Sequence, residues 1–191
     1  MFPHILTVLF TDRLDPLRHD LARRFAKYED KPLSWKLKYY YTTPQYRTLL
    51  YYRLYSSARF GGLRALFRVL YRRHSSRTGI EFLTPLLGGG VIMPHWGRII
   101  LNADRIGDNL YIFHNVTVGN DYRSGKPTIG SNVFIGTGTV VLGQITVGDN
   151  VVIGACSFVN EDVPSNSLVA GNPAKVVKAI GPDYIRAMIG Y

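Results

Sequence analysis

The chain has 191 residues, with 23 Lys and Arg against 13 Asp and Glu, one cysteine and a formal net charge of +10. A single cysteine excludes an internal disulfide and fits a reducing cytoplasm, and no apolar run approaches the roughly 20 residues of a membrane-spanning helix. The length suits one catalytic domain with a helical appendage.

The first segment, Phe2 to Phe10, is apolar but short and has no basic leader, so no secretory signal is expected. A helix is predicted from Pro16 to about Tyr28, with Pro at its start and Leu17, Leu21 and Phe25 on one face. Charge is uneven: residues 1–79 carry sixteen Lys or Arg against five Asp or Glu, and residues 80–191 carry seven against eight. Between Asp30 and Glu81 there is no acid at all. There Arg47, Arg53, Arg59, Arg64, Arg68, Arg72 and Arg73 interleave with Tyr, Leu and Phe at helical spacing, which predicts two helices broken at Gly61 and Gly62. Two readings of residues 31–79 stay open. Basic aromatic helices lie readily on an anionic membrane surface, which would bring the protein to lipid-linked precursors. Equally, the apolar stripes pack within the protein and the arginines are solvated. Nucleic acid is disfavoured as a partner, because no nucleic-acid module accompanies the charge.

The second half carries a six-residue rhythm: Ile106, Ile112 and Val118, then Ile129, Ile135, Val141, Val147, Ile153 and Val159. Glycine follows most of these, at 107, 119, 130, 136, 148 and 154. A period of six is neither helical nor that of a flat strand, so the chain must turn a corner once per repeat. The predicted fold is mainly β, a parallel β-helix with three hexads per coil and the aliphatic residues in a narrow core; an evenly spaced β-sandwich is the weaker alternative. Small or aliphatic residues two positions earlier (Leu110, Val116, Val133, Thr139, Ile145, Val151) fill the corners, and the turns at 107–109, 130–132 and 148–150 place Asn where left-handed backbone is needed. From Val118 to Ile129 the step is eleven, so about five residues are extruded as a loop within 119–127 while the register resumes. Upstream the rhythm loosens around His95, Trp96, Gly97 and Arg98. Cys156, beside Ala155, reads as small filler.

The blocks GIEF (79–82), VIMPHWGRIILN (91–102), IGDNLYIFHNVTVGN (106–120), PTIGSNVFIGTGTVVLG (127–143), VGDNVVIGA (147–155) and VAGNPAKVV (169–177) resemble the serine acetyltransferase branch of the hexapeptide-repeat acyltransferases, in particular its capsular and exopolysaccharide O-acetyltransferases. The resemblance implies a left-handed β-helix, a homotrimer, and acetyl transfer from acetyl-CoA at subunit interfaces. It runs from about residue 79 to 178, so with the basic helices read from charge and spacing three segments are expected: a helical basic region (1–79), a catalytic β-helix (80–178) and a C-terminal tail or helix (179–191).

Attack of an alcohol on a thioester needs a base near neutrality, and imidazole supplies one. A lone histidine beside a tryptophan is by itself as readily a packed residue; the resemblance makes His95 the base. Glu81 is the acidic partner that orients it, at a spacing one residue shorter than the family's. His114 is the rival for the catalytic role, and is read as lining the acetyl or acceptor site. With only two histidines in the repeat region, a three-histidine zinc site is not expected and no metal is assigned. The resemblance places acetyl-CoA along Gly119, Asn120, Gly136, Thr137 and Ala155, with Lys175 and Lys178 toward its phosphates, although a solvated surface accounts for those lysines equally well. Pro94 replaces the family's Asp, and Gly125 and Lys126 replace its Arg-His pair. These changes fall where an amino-acid acceptor would be held, so a sugar hydroxyl on a surface-polysaccharide precursor is expected. Serine O-acetylation and a non-catalytic trimeric scaffold at the membrane are the alternatives.

Overall fold

The computed structural model describes residues 14–189; the apolar segment Phe2 to Phe10 lies outside them. Four helices come first: α1 (Asp15–Phe25), α2 (Leu33–Thr42), α3 (Pro44–Ser57) and α4 (Gly61–Thr78). The strands are β1 (Ile80–Phe82), β2 (Leu86–Leu87), β3 (Ile99–Leu101), β4 (Arg105–Ile106), β5 (Tyr111–Ile112), β6 (Val116–Gly119), β7 (Thr128–Ile129), β8 (Phe134–Ile135), β9 (Val140–Leu142), β10 (Thr146–Val147), β11 (Val152–Ile153), β12 (Phe158–Val159), β13 (Ser167–Gly171) and β14 (Ala174–Ala179), followed by α5 (Pro182–Ile189).

The strands form three sheets, each one face of a prism. Face 1 runs β1-β3-β6-β9-β12, face 2 runs β10-β7-β4-β2, and face 3 runs β14-β13-β11-β8-β5. All pairings are parallel except the β13–β14 hairpin. Ile129 pairs with Val147, eighteen residues on, whereas Ile106 pairs with Ile129, twenty-three on. The second interval is three hexads plus five extruded residues, as the rhythm predicts. All nine hexad aliphatics are buried, and so are the six corner residues.

Stacking explains the glycines better than cornering does. A Cβ on Gly107 would lie 2.7 Å from the carbonyl carbon of Gly130, and one on Gly130 would lie 2.8 Å from that of Gly148, so each glycine lets the next coil close down upon it. Beside them Asn109, Asn132, Asn150 and Asn166 all hold left-handed φ between 56° and 64°. Their side chains form a ladder along the axis: Asn109 Nδ2 donates to Asn132 Oδ1 (3.0 Å), Asn132 to Asn150 (2.9 Å), and Asn150 to Asn166 (3.0 Å). Cys156 departs from its expected role: it is exposed, with φ 55°, and fills no core space.

The helices differ from expectation in detail. α1 stops at Phe25 because the Tyr28 N–H closes a tight turn onto the Phe25 carbonyl (2.9 Å). The break between α3 and α4 falls at residues 58–60, where Ala58 and Phe60 are extended, and Gly61 and Gly62 open α4 instead of interrupting it. Glycine costs less in an exposed first turn than in a helix interior. α2 has no clear sequence stripe, and Tyr40 is its one buried residue.

α3 closes the first coil. Tyr46, Leu49 and Tyr52 join Phe82, Leu87, Val91 and Met93 in one apolar cluster, and the Tyr52 hydroxyl donates to the Thr84 carbonyl at 2.6 Å. Arg53 therefore turns inward, which corrects the picture of uniformly solvated arginines. Its Nε donates to Asp20 Oδ2 (2.9 Å) and its guanidinium to the carbonyls of Leu87 (2.6 Å) and Gly88, with side-chain exposures of 3% for Arg53 and 0% for Asp20. Among the described residues, no helix is long and apolar enough to cross a membrane.

Candidate active site

The sheet register determines which expected site residues meet. On face 3, Ile92, Tyr111, Phe134 and Val152 stand one above another. Three residues after each, at the edge where face 3 turns into face 1, come His95, His114, Thr137 and Ala155. The His95 and His114 rings are 6.1 Å apart and nearly perpendicular, and the Thr137 hydroxyl donates to the His114 carbonyl at 3.0 Å. Gly136 lies against the Ala155 backbone, where a Cβ would come within 2.5 Å of the amide nitrogen. Four residues separated by 19, 23 and 18 positions thus form one column along one edge.

His95 is exposed, makes no hydrogen bond among the described residues, and has Phe113 at 5.9 Å on one side and the exposed Trp96 next to it in sequence. His114 is half-buried, and its Nδ1 is sealed from solvent without a hydrogen-bond partner among the described residues. Buried ring nitrogens are normally satisfied, so this atom carries an unmet hydrogen bond within the protomer. Gly97 makes the approach possible: a Cβ there would sit 2.7 Å from His114 Cβ. Gly97→Ala should therefore displace the histidine pair and lower kcat by about tenfold or more, read against unchanged circular dichroism.

Glu81 does not reach His95. It is exposed on β1, pairs in register with Ile100, and forms no hydrogen bond or ion pair with the imidazole within the protomer. Gly119 and Asn120 lie on another edge, where face 1 turns into face 2. A Cβ on Gly119 would meet nothing nearer than Leu142 Cδ2 at 3.7 Å, and its φ is ordinary. Packing does not demand glycine there, although the residue is buried within the protomer. The loop is knit by Asp121, whose Oδ1 accepts from the N–H groups of Ser124 (2.8 Å) and Arg123 (3.0 Å) and whose Oδ2 accepts from Ser124 Oγ (2.8 Å). These bonds hold its carboxyl well below the usual carboxylate range.

The two edges are five extended residues apart, from His114 to Gly119, or about 16 Å across face 1. The outward side chains of that face, Ile100, Thr117, Val140 and Phe158, are only partly buried. Lys175 stands at the top of the histidine edge, on β14 opposite Ala170, and pairs with Glu161 at 2.9 Å. Both partners are mostly exposed, and such a surface pair holds its lysine weakly. Lys178 lies 4.5 Å from the Tyr184 ring centroid. Trp96, Phe113 and Gly97 are the neighbours of His95 not expected at the site; the break in the hexad rhythm marked Trp96 and Gly97, and nothing marked Phe113.

Short parallel strands in stacked three-sided coils, with the small residues in a column beside an exposed imidazole, define a hexapeptide-repeat transferase. The family described as "Bacterial transferase hexapeptide (six repeats)" matches residues 126–161. A serine acetyltransferase of Helicobacter pylori is 36% identical over 149 residues, 75% of this chain and 86% of that protein. The chain belongs to the serine acetyltransferase family of acetyl-transferring acyltransferases. It is also 42% identical over 115 residues to the serine acetyltransferase of Synechococcus elongatus, covering 56% of this chain and about half (47%) of that longer protein. The structure of a Brucella abortus serine acetyltransferase in complex with coenzyme A superposes with a TM-score of 0.62 at 26% identity, over 94% of this chain and 73% of that one. The expected kinship to capsular and exopolysaccharide enzymes finds no support in these relatives, which carry the serine acetyltransferase name.

Proposed function

We propose that this protein transfers the acetyl group of acetyl-CoA to the hydroxyl of serine, with His95 as general base. The column from His95 through His114, Thr137 and Ala155 to the β14 lysine carries the reading. It spans five strand-to-strand steps, about 24 Å, of small side chains and accessible backbone between an imidazole and a cation. An extended thioester arm fits such a track, with its phosphates toward Lys175. The hydroxyl oxygen attacks the thioester carbonyl as its proton passes to His95, the C–S bond breaks, and the departing thiolate takes a proton to leave as CoA. Backbone N–H groups at the loop edge near Gly119 suit the oxyanion.

That last role needs a second protomer, because Gly119 stands about 16 Å from His114 on the same chain. A homotrimer seated on the apolar stripe of face 1 would bring the loop edge of one subunit to the histidine edge of the next, and would offer His95 a carboxylate that its own Glu81 does not supply. Light scattering should give three times 21.5 kDa, and a monomeric, active species would end the shared-site reading.

The relatives' names favour serine as acceptor, and the complex with coenzyme A favours the donor. One observation favours a sugar hydroxyl as a second reading. Pro94 leaves no carboxylate next to His95 for an ammonium, while Trp96 and Phe113 offer aromatic surface of the kind that lines small-molecule sites. Free thiol released from acetyl-CoA, with L-serine in one arm and a panel of sugars in the other, decides between them. Release with serine alone supports the first reading, release with a sugar alone supports the second, and release with neither removes both.

A further inference from the structure

We propose that the groove between α4 and the first coil binds a ligand carrying a phosphate or diphosphate group. The groove has a volume of about 520 Å³. Tyr52, Tyr55, Arg64, Arg68, Tyr71 and Arg72 line it, and the chain from Phe82 to Pro85 forms the opposite wall. Arg64, Arg68 and Arg72 follow one another at i, i+4 and i+8, so their guanidinium groups share one side of the helix, with Cα atoms about 6 Å apart along its axis.

All three arginines are exposed, and none has an ion pair or hydrogen bond among the described residues. Like charges at this spacing repel, and a helix that only needed solubility would intersperse acids, yet the chain has none between Asp30 and Glu81. The aromatic side of the groove is firmly held. The Tyr71 hydroxyl accepts from the Phe82 N–H (2.6 Å) and donates to the Phe82 carbonyl (3.1 Å), and the Tyr55 ring stacks on Tyr71 with centroids 6.2 Å apart and planes 11° from parallel. The Tyr55 hydroxyl has no hydrogen-bond partner among the described residues. A rigid concavity with unneutralised guanidinium groups on one side and a free hydroxyl on the other matches the forked donors and multiple acceptors of a phosphate contact.

This site is distinct from the acetyl-transfer column of the same protomer. Its wall, Phe82 to Pro85, turns from face 1 toward face 2, whereas His95 and His114 stand between faces 3 and 1. The inference does not rest on the identity of the acceptor.

The test uses the full chain at low ionic strength, where charge contacts are least screened. Inorganic pyrophosphate is titrated by calorimetry in one arm, and phosphatidylglycerol vesicles are floated in the other, to separate a soluble phosphate from a lipid headgroup. The probe variant is Arg64→Gln/Arg68→Gln/Arg72→Gln, with Arg68→Gln alone as a milder companion. The expected result is binding by the wild type that weakens by about tenfold or more in the triple variant and by about threefold in the single one, with the KM for acetyl-CoA unchanged within about twofold. Arginine-dependent binding in either arm supports the proposal and names the source. Absence of binding in both arms, binding that the triple variant retains, or a parallel rise in the acetyl-CoA KM overturns it. Acetyl transfer itself stands or falls separately, on thiol release.

Discussion

His95→Ala should lower kcat by about a hundredfold or more while leaving the unfolding midpoint unchanged. The rate effect follows from the proton inventory of the reaction. A neutral alcohol is a poor nucleophile, and His95 is the one exposed imidazole on the edge where small residues leave room for a thioester. The stability expectation follows from its surroundings, because an exposed side chain without hydrogen bonds leaves neither a cavity nor a stranded partner when it is truncated. Thiol release measured in single turnovers isolates the chemical step. A variant that keeps more than about a tenth of the wild-type rate would remove His95 from the base role, and a variant that loses rate only by unfolding would show it in circular dichroism.

Arg53→Gln should destabilise the folded state by about 3–5 kcal/mol. The guanidinium joins α3 to α1 through Asp20 and to the first coil through the carbonyls of Leu87 and Gly88. Its loss leaves an Asp20 carboxylate with no solvent contact and, among the described residues, only the Val91 N–H, at 2.8 Å, as a remaining donor. The loss should also depend on pH. Burial pushes the Asp20 carboxyl above its ordinary value, and the charge and hydrogen bonds of Arg53 oppose that rise. Folded protein therefore holds this proton to higher pH than unfolded protein does, and stability falls as pH rises through that window. Without Arg53 the carboxyl shifts further upward, so the deficit of the variant is greatest at neutral and alkaline pH and shrinks as acid protonates Asp20. Urea unfolding of both proteins at pH 5 and pH 8 measures this, and an equal deficit at the two values would contradict the account.

The solenoid was legible in the sequence because every coil repeats the same demand: an aliphatic residue inward, a glycine under the next coil, an asparagine at a left-handed corner. Ile129, Gly130 and Asn132 state it once, and Val147, Gly148 and Asn150 state it again. The extruded loop was legible for the same reason, since its five residues interrupt a count that then resumes. The site was legible only in part. His95 and His114 lie nineteen residues apart in a stretch without strict hexads, so their juxtaposition follows only from the pairing of Ile92 with Tyr111. Glu81 stands on face 1 and Gly119 at its far edge, whereas His95 and His114 stand at the edge between faces 3 and 1, and residue spacing alone does not disclose these positions. The inward turn of Arg53 was hidden because its partner, Asp20, lies 33 residues earlier on another helix.

A stack of parallel coils has no intrinsic length: each terminal coil offers unpaired amides and carbonyls on which another molecule could continue the pattern into a fibre. In this chain the start, and face 3 at the finish, are denied to such growth. At the start, α3 lies over the first coil with Tyr46, Leu49 and Tyr52. At the finish, β14 reverses direction against β13 and carries Lys175 and Lys178 outward, so an incoming parallel strand meets opposed polarity and positive charge. The reversal that terminates face 3 is the same one that sets a cation at the head of the histidine edge.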